Sequence, residues 1–202
     1  MKNLIILGVP RAGKSTLAKY IVRQMIHDKN PVILIPGDSL MGGFTAQRTS
    51  IIWRILVRPL RHIFPFIKRN SKKSLHNNYR RFITRFFNET SSEFPVVFEG
   101  AYITPAQAAK MFDPKQCKIV VVGYPNANPK DKIADIRKFD NKNTAIGAQD
   151  EASLRKTVMN LIEISKQYEK ESRGKFVFLD TSKNYQETLK NFATNISKFL
   201  NE

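Results

Sequence analysis

The run Gly8-Val9-Pro10-Arg11-Ala12-Gly13-Lys14-Ser15, followed by Thr16, constrains this chain more than any other stretch. It satisfies every fixed position of the pattern G-x-x-x-x-G-K-[ST]. Before it stands Leu4-Ile5-Ile6-Leu7, a short apolar run that reads as a buried strand. After it Leu17, Tyr20 and Ile21 recur at helical spacing. Strand, glycine-bounded loop and helix in that order make a phosphate-binding loop. Gly8 and Gly13 let the backbone turn sharply and approach an anion with no Cβ in the way. Successive backbone N–H groups, those of Arg11 and Ala12 and of the helix N-terminus, then surround the phosphates, with Pro10, which has no N–H, as part of the loop wall. Lys14 is placed to reach the β- and γ-phosphates and Ser15 to put its hydroxyl on Mg²⁺, with Thr16 beside it. Such a loop binds a nucleoside triphosphate. By itself it does not specify a reaction.

The rest of the chain alternates strand and helix. Apolar runs at 2–8, 32–35, 95–98, 118–122 and 175–179 read as five strands. Helical patterns at 14–28, 104–112, 150–172 and 185–200 separate them, with Thr104 as a cap and Pro105 at a first helical position. That alternation predicts a parallel five-stranded sheet covered on both faces, a three-layer α/β/α domain spanning 1–202. Between strands two and three, residues 39–91 form a long helical insertion. Ile51, Ile52, Ile55, Leu56 and Leu60 mark one helix, ended or kinked at Pro59; Ser71 to Ser74 read as a loop. Leu75, Tyr79, Phe82, Ile83, Phe86 and Phe87 mark a second helix. Residues 124–149 are polar, with Pro125, Pro129 and several Asn, and read as a long surface excursion. Ligands of an open parallel sheet sit outside the carboxyl ends of its strands, so Asp38, just after strand two, falls on the same edge as the loop.

Charge is concentrated. The chain carries a net +17, and between Asp38 and Glu89 eleven Arg and Lys residues occur without one carboxylate. A local field of that kind attracts an anion. Three readings of it stand: an anionic acceptor or nucleic-acid backbone held by its arginines, a solvated basic face, or a lipid contact made by Trp53, Phe64 and Phe66 among the arginines. One cysteine, Cys117, excludes an internal disulfide framework and a Cys-rich metal site, and its apolar setting reads as a buried structural thiol. No run approaches ~18 apolar residues, and the first strand follows the N-terminus directly, which gives the expectation of a cytoplasmic protein.

Motifs separate the classes of phosphate-loop protein. A guanine reader of the form Asn-Lys-x-Asp is missing; Asn141-Lys142-Asn143-Thr144 lacks the Asp, and the third strand ends in Glu99-Gly100 rather than Asp-x-x-Gly. Motor and transporter ATPases need a further domain or signature loop. The chain instead resembles the P-loop small-molecule and nucleotide kinases, the group that includes adenylate kinase, shikimate kinase, the zeta toxins and the kinase domain of polynucleotide kinase. The resemblance is carried by the 8–16 loop, Asp38, Glu99-Gly100, the polar 124–149 segment and Asp180-Thr181-Ser182, in that order along nearly the whole length.

It implies that ATP and Mg²⁺ are the cofactors, that residues 39–91 hold the acceptor and that 124–149 is a lid closing over ATP. Asp38 then orients or deprotonates the acceptor hydroxyl, with the alternative of a turn carboxylate capping the segment from Leu40. Glu99 assists with the acceptor or holds a Mg²⁺-bound water; either carboxylate suits the metal, alongside Ser15. Lids of such kinases carry arginines that neutralise the transferring group. Arg137 is the one Arg in the lid and the first choice, ahead of Lys130, Lys132 and Lys138, with Arg155 a second candidate. Arg11 reaches phosphate or faces solvent. Asp180 and Thr181 contact adenine or cap the last helix. Arg48, Arg54, Arg80 and Arg81, with Glu99, are the acceptor-binding candidates. The implied function is transfer of the γ-phosphate of ATP to a small anionic acceptor. The runner-up is a nucleic-acid 5′-end kinase or nucleic-acid-binding ATPase using the basic 39–88 segment.

Overall fold

The computed structural model describes residues 2–48, 65–140 and 144–201. The predicted helix at 51–60, with Arg54, Arg58 and Pro59, lies outside the described residues, as does Arg61.

Five strands form one sheet: β1 (Asn3–Gly8), β2 (Ile33–Pro36), β3 (Val96–Gly100), β4 (Cys117–Gly123) and β5 (Val177–Asp180). Their order is β2-β3-β1-β4-β5 and every pairing is parallel. The three inner strands are nearly continuous apolar runs because helices cover both their faces. Leu4, Ile5, Ile6, Leu7, Val97, Phe98, Val120, Val121 and Val122 are all buried. The chain leaves β1, crosses to the far edge for β2, returns through β3 and then passes to the other side for β4. That reversal opens a crevice at the carboxyl ends of β1 and β3, where sheets of this kind hold ligands. Register aligns the ends: Leu7 lies opposite Gly100, Pro36 opposite Glu99, Gly8 opposite Val122 and Gly123 opposite Asp180.

Eight helices lie among the described residues. α1 (Lys14–His27) follows the loop and buries Leu17, Ala18, Ile21 and Met25. α2 (Gly37–Arg48) starts directly after β2. α3 (Pro65–Glu93) is one helix of 29 residues, so the loop expected at Ser71 to Ser74 is not there. From 66 to 93 the sequence holds neither Gly nor Pro, and serine costs a helix only a few tenths of a kcal/mol, up to about 0.7. The apolar stripe of α3 is also narrower than its pattern: Tyr79, Ile83 and Phe87 are buried, whereas Phe82 and Phe86 stack on each other at its outer flank, 5.8 Å apart.

α4 (Pro105–Met111) opens with a reciprocal cap between Thr104 and Gln107 and with Pro105 in its first turn. The 124–149 excursion contains a helix that its polarity concealed, α5 (Pro129–Phe139), capped by Asn128 and burying Ile133 and Ile136. Pro129, one of the residues that made 124–149 read as a surface excursion, stands at the first helical position, where its missing N–H costs nothing. α6 (Glu151–Ser172) is capped by Asp150. The last helix divides at Asn195 into α7 (Tyr185–Thr194) and α8 (Ile196–Asn201). Among the described residues no helix is long and apolar enough to cross a membrane.

Candidate functional site

The loop after β1 is shaped by glycine where the sequence demands it. Gly8 has φ +146°, and a Cβ there would lie 2.0 Å from the Val122 carbonyl oxygen. Gly13 has φ +103°, and a Cβ there would meet the Tyr185 ring at 2.7 Å. Arg11, which has no such freedom, still adopts φ +62°.

Donors from four directions hold the carbonyls of the loop. Val9 O accepts from Lys14 Nζ at 3.1 Å, Pro10 O from the Tyr124 hydroxyl at 3.0 Å, Arg11 O from Lys132 Nζ at 2.9 Å and Ala12 O from Thr181 Oγ1 at 3.1 Å. In a trans peptide the next N–H points opposite the carbonyl. Bracing Pro10 O and Ala12 O outward therefore turns the N–H groups of Arg11 and Gly13 into the hollow. The first-turn N–H groups of α1 join them, since no carbonyl lies four residues back in the helix to accept them. The result is a concavity of donors at a helix N-terminus.

Lys14 is 5% exposed, and burial pushes its ammonium below the ordinary lysine range, with Asp38 and Glu99 pulling the other way. Glu99 ends β3 and is also buried. Ser15 Oγ donates to its carboxylate at 3.3 Å. Desolvation raises the Glu99 carboxyl above the usual range; Lys14 opposes this and Asp38 adds to it. Asp38, exposed in the first turn of α2, accepts from the Ala101 N–H through Oδ1 at 2.9 Å, which ties the end of β2 to the end of β3. The structure thus gathers Lys14, Ser15, Asp38 and Glu99 at one sheet edge, within the range at which their charges act on one another.

Beside them α3 is anchored by Tyr79, whose hydroxyl donates to Gly37 O at 2.5 Å. Burial and the Asp38 charge push that phenol's pKa upward. Tyr102, 44% exposed just beyond β3, stands 6.2 Å from the Tyr79 ring and 6.0 Å from the His76 ring. Tyr79 lies within reach of the Asp38 and Glu99 charges, and neither it nor the two rings grouped with it was legible as a site residue.

Several expected roles are taken up otherwise. The Arg137 guanidinium donates to Gly147 O at 2.9 Å and Gln149 O at 2.6 Å, so it fastens the 147–149 backbone to α5 and does not turn to the loop. Arg155 is exposed on α6. Arg11 is exposed, and its guanidinium pairs with Asp140 at 2.6 Å. Thr181 is buried behind the loop, with Oγ1 within reach of both Ala12 O and Gly123 O. Asp180 accepts from Ser182 N at 2.8 Å and Asn126 Nδ2 at 2.9 Å. Neither caps α7, whose N-cap is Asn184 in left-handed conformation. Arg80 donates to Asn77 on its own helix, Arg81 is exposed on α3, and Arg48 is the last residue of α2. Among the described residues of 124–149, the cation brought to the loop is Lys132, which the sequence offered only as one of several lysines. Tyr124 and Tyr185 were missed, though Tyr124 directly follows a strand end, where site residues concentrate.

No protein-family model matches the sequence, and no curated protein matches it. Solved structures do. The chain is similar to a gluconokinase from Sinorhizobium meliloti 1021, at 15% identity and a TM-score of 0.56 over 99% of this chain and 94% of that one. It is similar to shikimate kinase from Acinetobacter baumannii, solved in complex with shikimate, at 16% identity and a TM-score of 0.55 over 98% and 92%. A shikimate kinase from Bacteroides thetaiotaomicron aligns over 100% and 99% at 13% identity and a TM-score of 0.52. With a complete phosphate-binding loop on a β2-β3-β1-β4-β5 parallel sheet, the chain has the fold of the P-loop small-molecule kinases.

Proposed function

We propose that this chain is a phosphotransferase that moves the γ-phosphate of ATP to a hydroxyl of a small acceptor, bound where α2 and α3 border the carboxyl ends of β2 and β3. The observation that carries the reading is the convergence of Lys14, Ser15, Asp38 and Glu99 on one edge of the loop. Glu99, buried beside Ser15, serves the cation of any bound nucleotide; Asp38 is the further carboxylate for which a loop that only bound nucleotide would have no use.

Phosphoryl transfer needs positioning and charge neutralisation more than covalent chemistry. The inward N–H groups bind the phosphates, and Lys14, already desolvated, moves from Val9 O to the β- and γ-oxygens. Ser15 Oγ and Glu99 fit a hard cation. They are oxygen donors 3.3 Å apart beside the phosphate hollow. Among the described residues no cluster of three His, Cys, Asp or Glu forms a protein-only cage. That suits Mg²⁺, which keeps waters and shares its remaining positions with phosphate. When bound there, Mg²⁺ neutralises charge on the phosphate oxygens. Asp38, oriented through Oδ1 by Ala101 N–H, offers its other oxygen to the acceptor hydroxyl and takes its proton. Tyr102 and His76 supply a wall for the acceptor body. Arg80 and Arg81, on the helix that Tyr79 anchors, favour an anionic acceptor.

The test is acceptor-dependent formation of ADP across nucleoside monophosphates, sugar phosphates, hydroxylated carboxylic acids and 5′-hydroxyl oligonucleotides. Turnover with one small acceptor, abolished in Lys14→Ala and lowered at least a hundredfold in Asp38→Asn, supports the reading. Turnover only with the oligonucleotide moves the acceptor to nucleic acid.

A further inference from the structure

We infer that Arg11 is the point at which α5 docks on the phosphate-binding loop, and that Lys132 and Asp140 are positioning residues which make the order of that loop depend on its contacts with α5. This rests on the reading of the loop as a nucleotide site and goes beyond it. α5 straddles Arg11. Near its start, Lys132 Nζ donates to the Arg11 carbonyl at 2.9 Å. At its C-cap, Asp140 pairs with the Arg11 guanidinium at 2.6 Å, with the carboxylate side chain only 6% exposed. Eight residues of helix, about 12 Å of rise, therefore span one loop residue gripped at both its backbone and its side chain. Thr144 Oγ1 donates at 3.0 Å to the same Asp140 Oδ2 that pairs with Arg11, which further fixes the carboxylate.

The Lys132 end is built for the purpose. Its ammonium lies over the Tyr124 ring at 4.3 Å and near the Tyr185 ring at 5.9 Å. Those two phenols themselves hold the loop: Tyr124 at Pro10 O, 3.0 Å, and Tyr185 at Thr16 Oγ1, 3.1 Å. An ammonium between aromatic faces keeps its charge in a half-dry setting. Burial pushes Lys132 below the ordinary lysine range, with Asp135 partly opposing, and a charged donor in such a place binds a carbonyl strongly. What is held is worth holding. Arg11 sits at φ +62°, a conformation a non-glycine residue keeps only where its surroundings enforce it. Released, the 11–12 peptide rotates, and the Arg11 and Gly13 N–H groups on either side of it lose their aim into the hollow.

Two measurements test this. Hydrogen exchange over residues 9–13 in the nucleotide-free chain needs no ligand. Lys132→Met and Asp140→Asn are each expected to speed exchange there about tenfold, and Lys132→Arg to restore protection. Arg11→Ala removes the ion pair but not the carbonyl, so Arg11→Ala/Asp140→Asn should exchange no faster than Arg11→Ala. Calorimetric titration with ADP is the second. ADP lacks the transferring group, so a weakened affinity cannot come from a contact to it. Lys132→Met is expected to weaken ADP about tenfold and Asp140→Asn about threefold. The sign for Asp140 is decisive: were its carboxylate merely near the phosphates, removing the charge would tighten ADP. Tighter or unchanged ADP binding in Asp140→Asn, or unchanged exchange in both variants, overturns the inference. If the wild-type chain fails to bind ADP, the nucleotide reading falls while the exchange experiment still decides the role of Arg11.

Discussion

Thr181→Val separates bracing of the loop from contact with nucleotide. The substitution keeps the shape of a 4%-exposed side chain and removes one hydroxyl. That hydroxyl reaches Ala12 O at 3.1 Å and Gly123 O at 3.0 Å. Gly123 O keeps a donor in the variant, because Thr181 N–H also binds it at 2.8 Å. The loss therefore falls on Ala12 O. A buried carbonyl left without its partner costs about 1–3 kcal/mol. For a chain of this length each kcal/mol lowers Tm by about 2–4 °C, so a midrange loss of about 2 kcal/mol predicts a fall of about 4–8 °C. The freed Ala12 carbonyl also lets the Gly13 N–H swing from the hollow, so ADP affinity falls at least fivefold. Thr181→Ser, which retains the hydroxyl, should recover most of both. Calorimetric melting and ADP titration on the three proteins read the result. A Thr181→Val protein that melts within 1 °C of wild type and binds ADP as well would refute the bracing argument.

Glu99→Gln should raise stability at neutral pH while abolishing turnover. Burial holds the folded carboxyl above its ordinary pKa, so the native chain binds more protons than the unfolded one between the two values. Stability is then lost as pH rises through that window and stays lost above it; melting of the variant from pH 4 to 8 should lack the drop seen in wild type. Arg137→Ala should cost less than tenfold in kcat but expose the segment after α5 to protease, because Arg137 binds Gly147 O and Gln149 O rather than phosphate; a loss of a hundredfold or more would place it on the transferring group. Arg80→Gln/Arg81→Gln should raise acceptor KM and leave ADP affinity alone. If ADP weakens with it, α3 acts on the nucleotide side.

The sheet and its loop were readable because their signals are local and redundant. Each inner strand is a continuous apolar run, and the pattern at Gly8 to Ser15 admits one backbone course. Thr104-Pro105 fixed a helix start for the same reason. α5 was hidden by Pro129, whose effect depends on whether it opens a helix or interrupts one. The unbroken course of α3 was hidden by a serine- and lysine-rich stretch that carries no helix-stopping residue. Thr181 and Lys132 could not be assigned, since what they hold are backbone carbonyls of the loop, 169 and 121 residues away. A backbone carbonyl leaves no trace in side-chain identity. Asp38 could be set beside the loop because strand ends order themselves along one edge, a property of topology rather than of contact; Glu99 entered through the resemblance to the P-loop kinases.

The decisive measurement follows the γ-phosphate itself. With γ-labelled ATP, Mg²⁺ and the acceptor panel, the partition of label between acceptor and inorganic phosphate is measured for wild type and Asp38→Asn. Transfer as proposed puts label on one small acceptor, leaves little on water, and loses the labelled product in Asp38→Asn. Label released only as inorganic phosphate, at the same rate in wild type and in the Asp38→Asn variant, would contradict it.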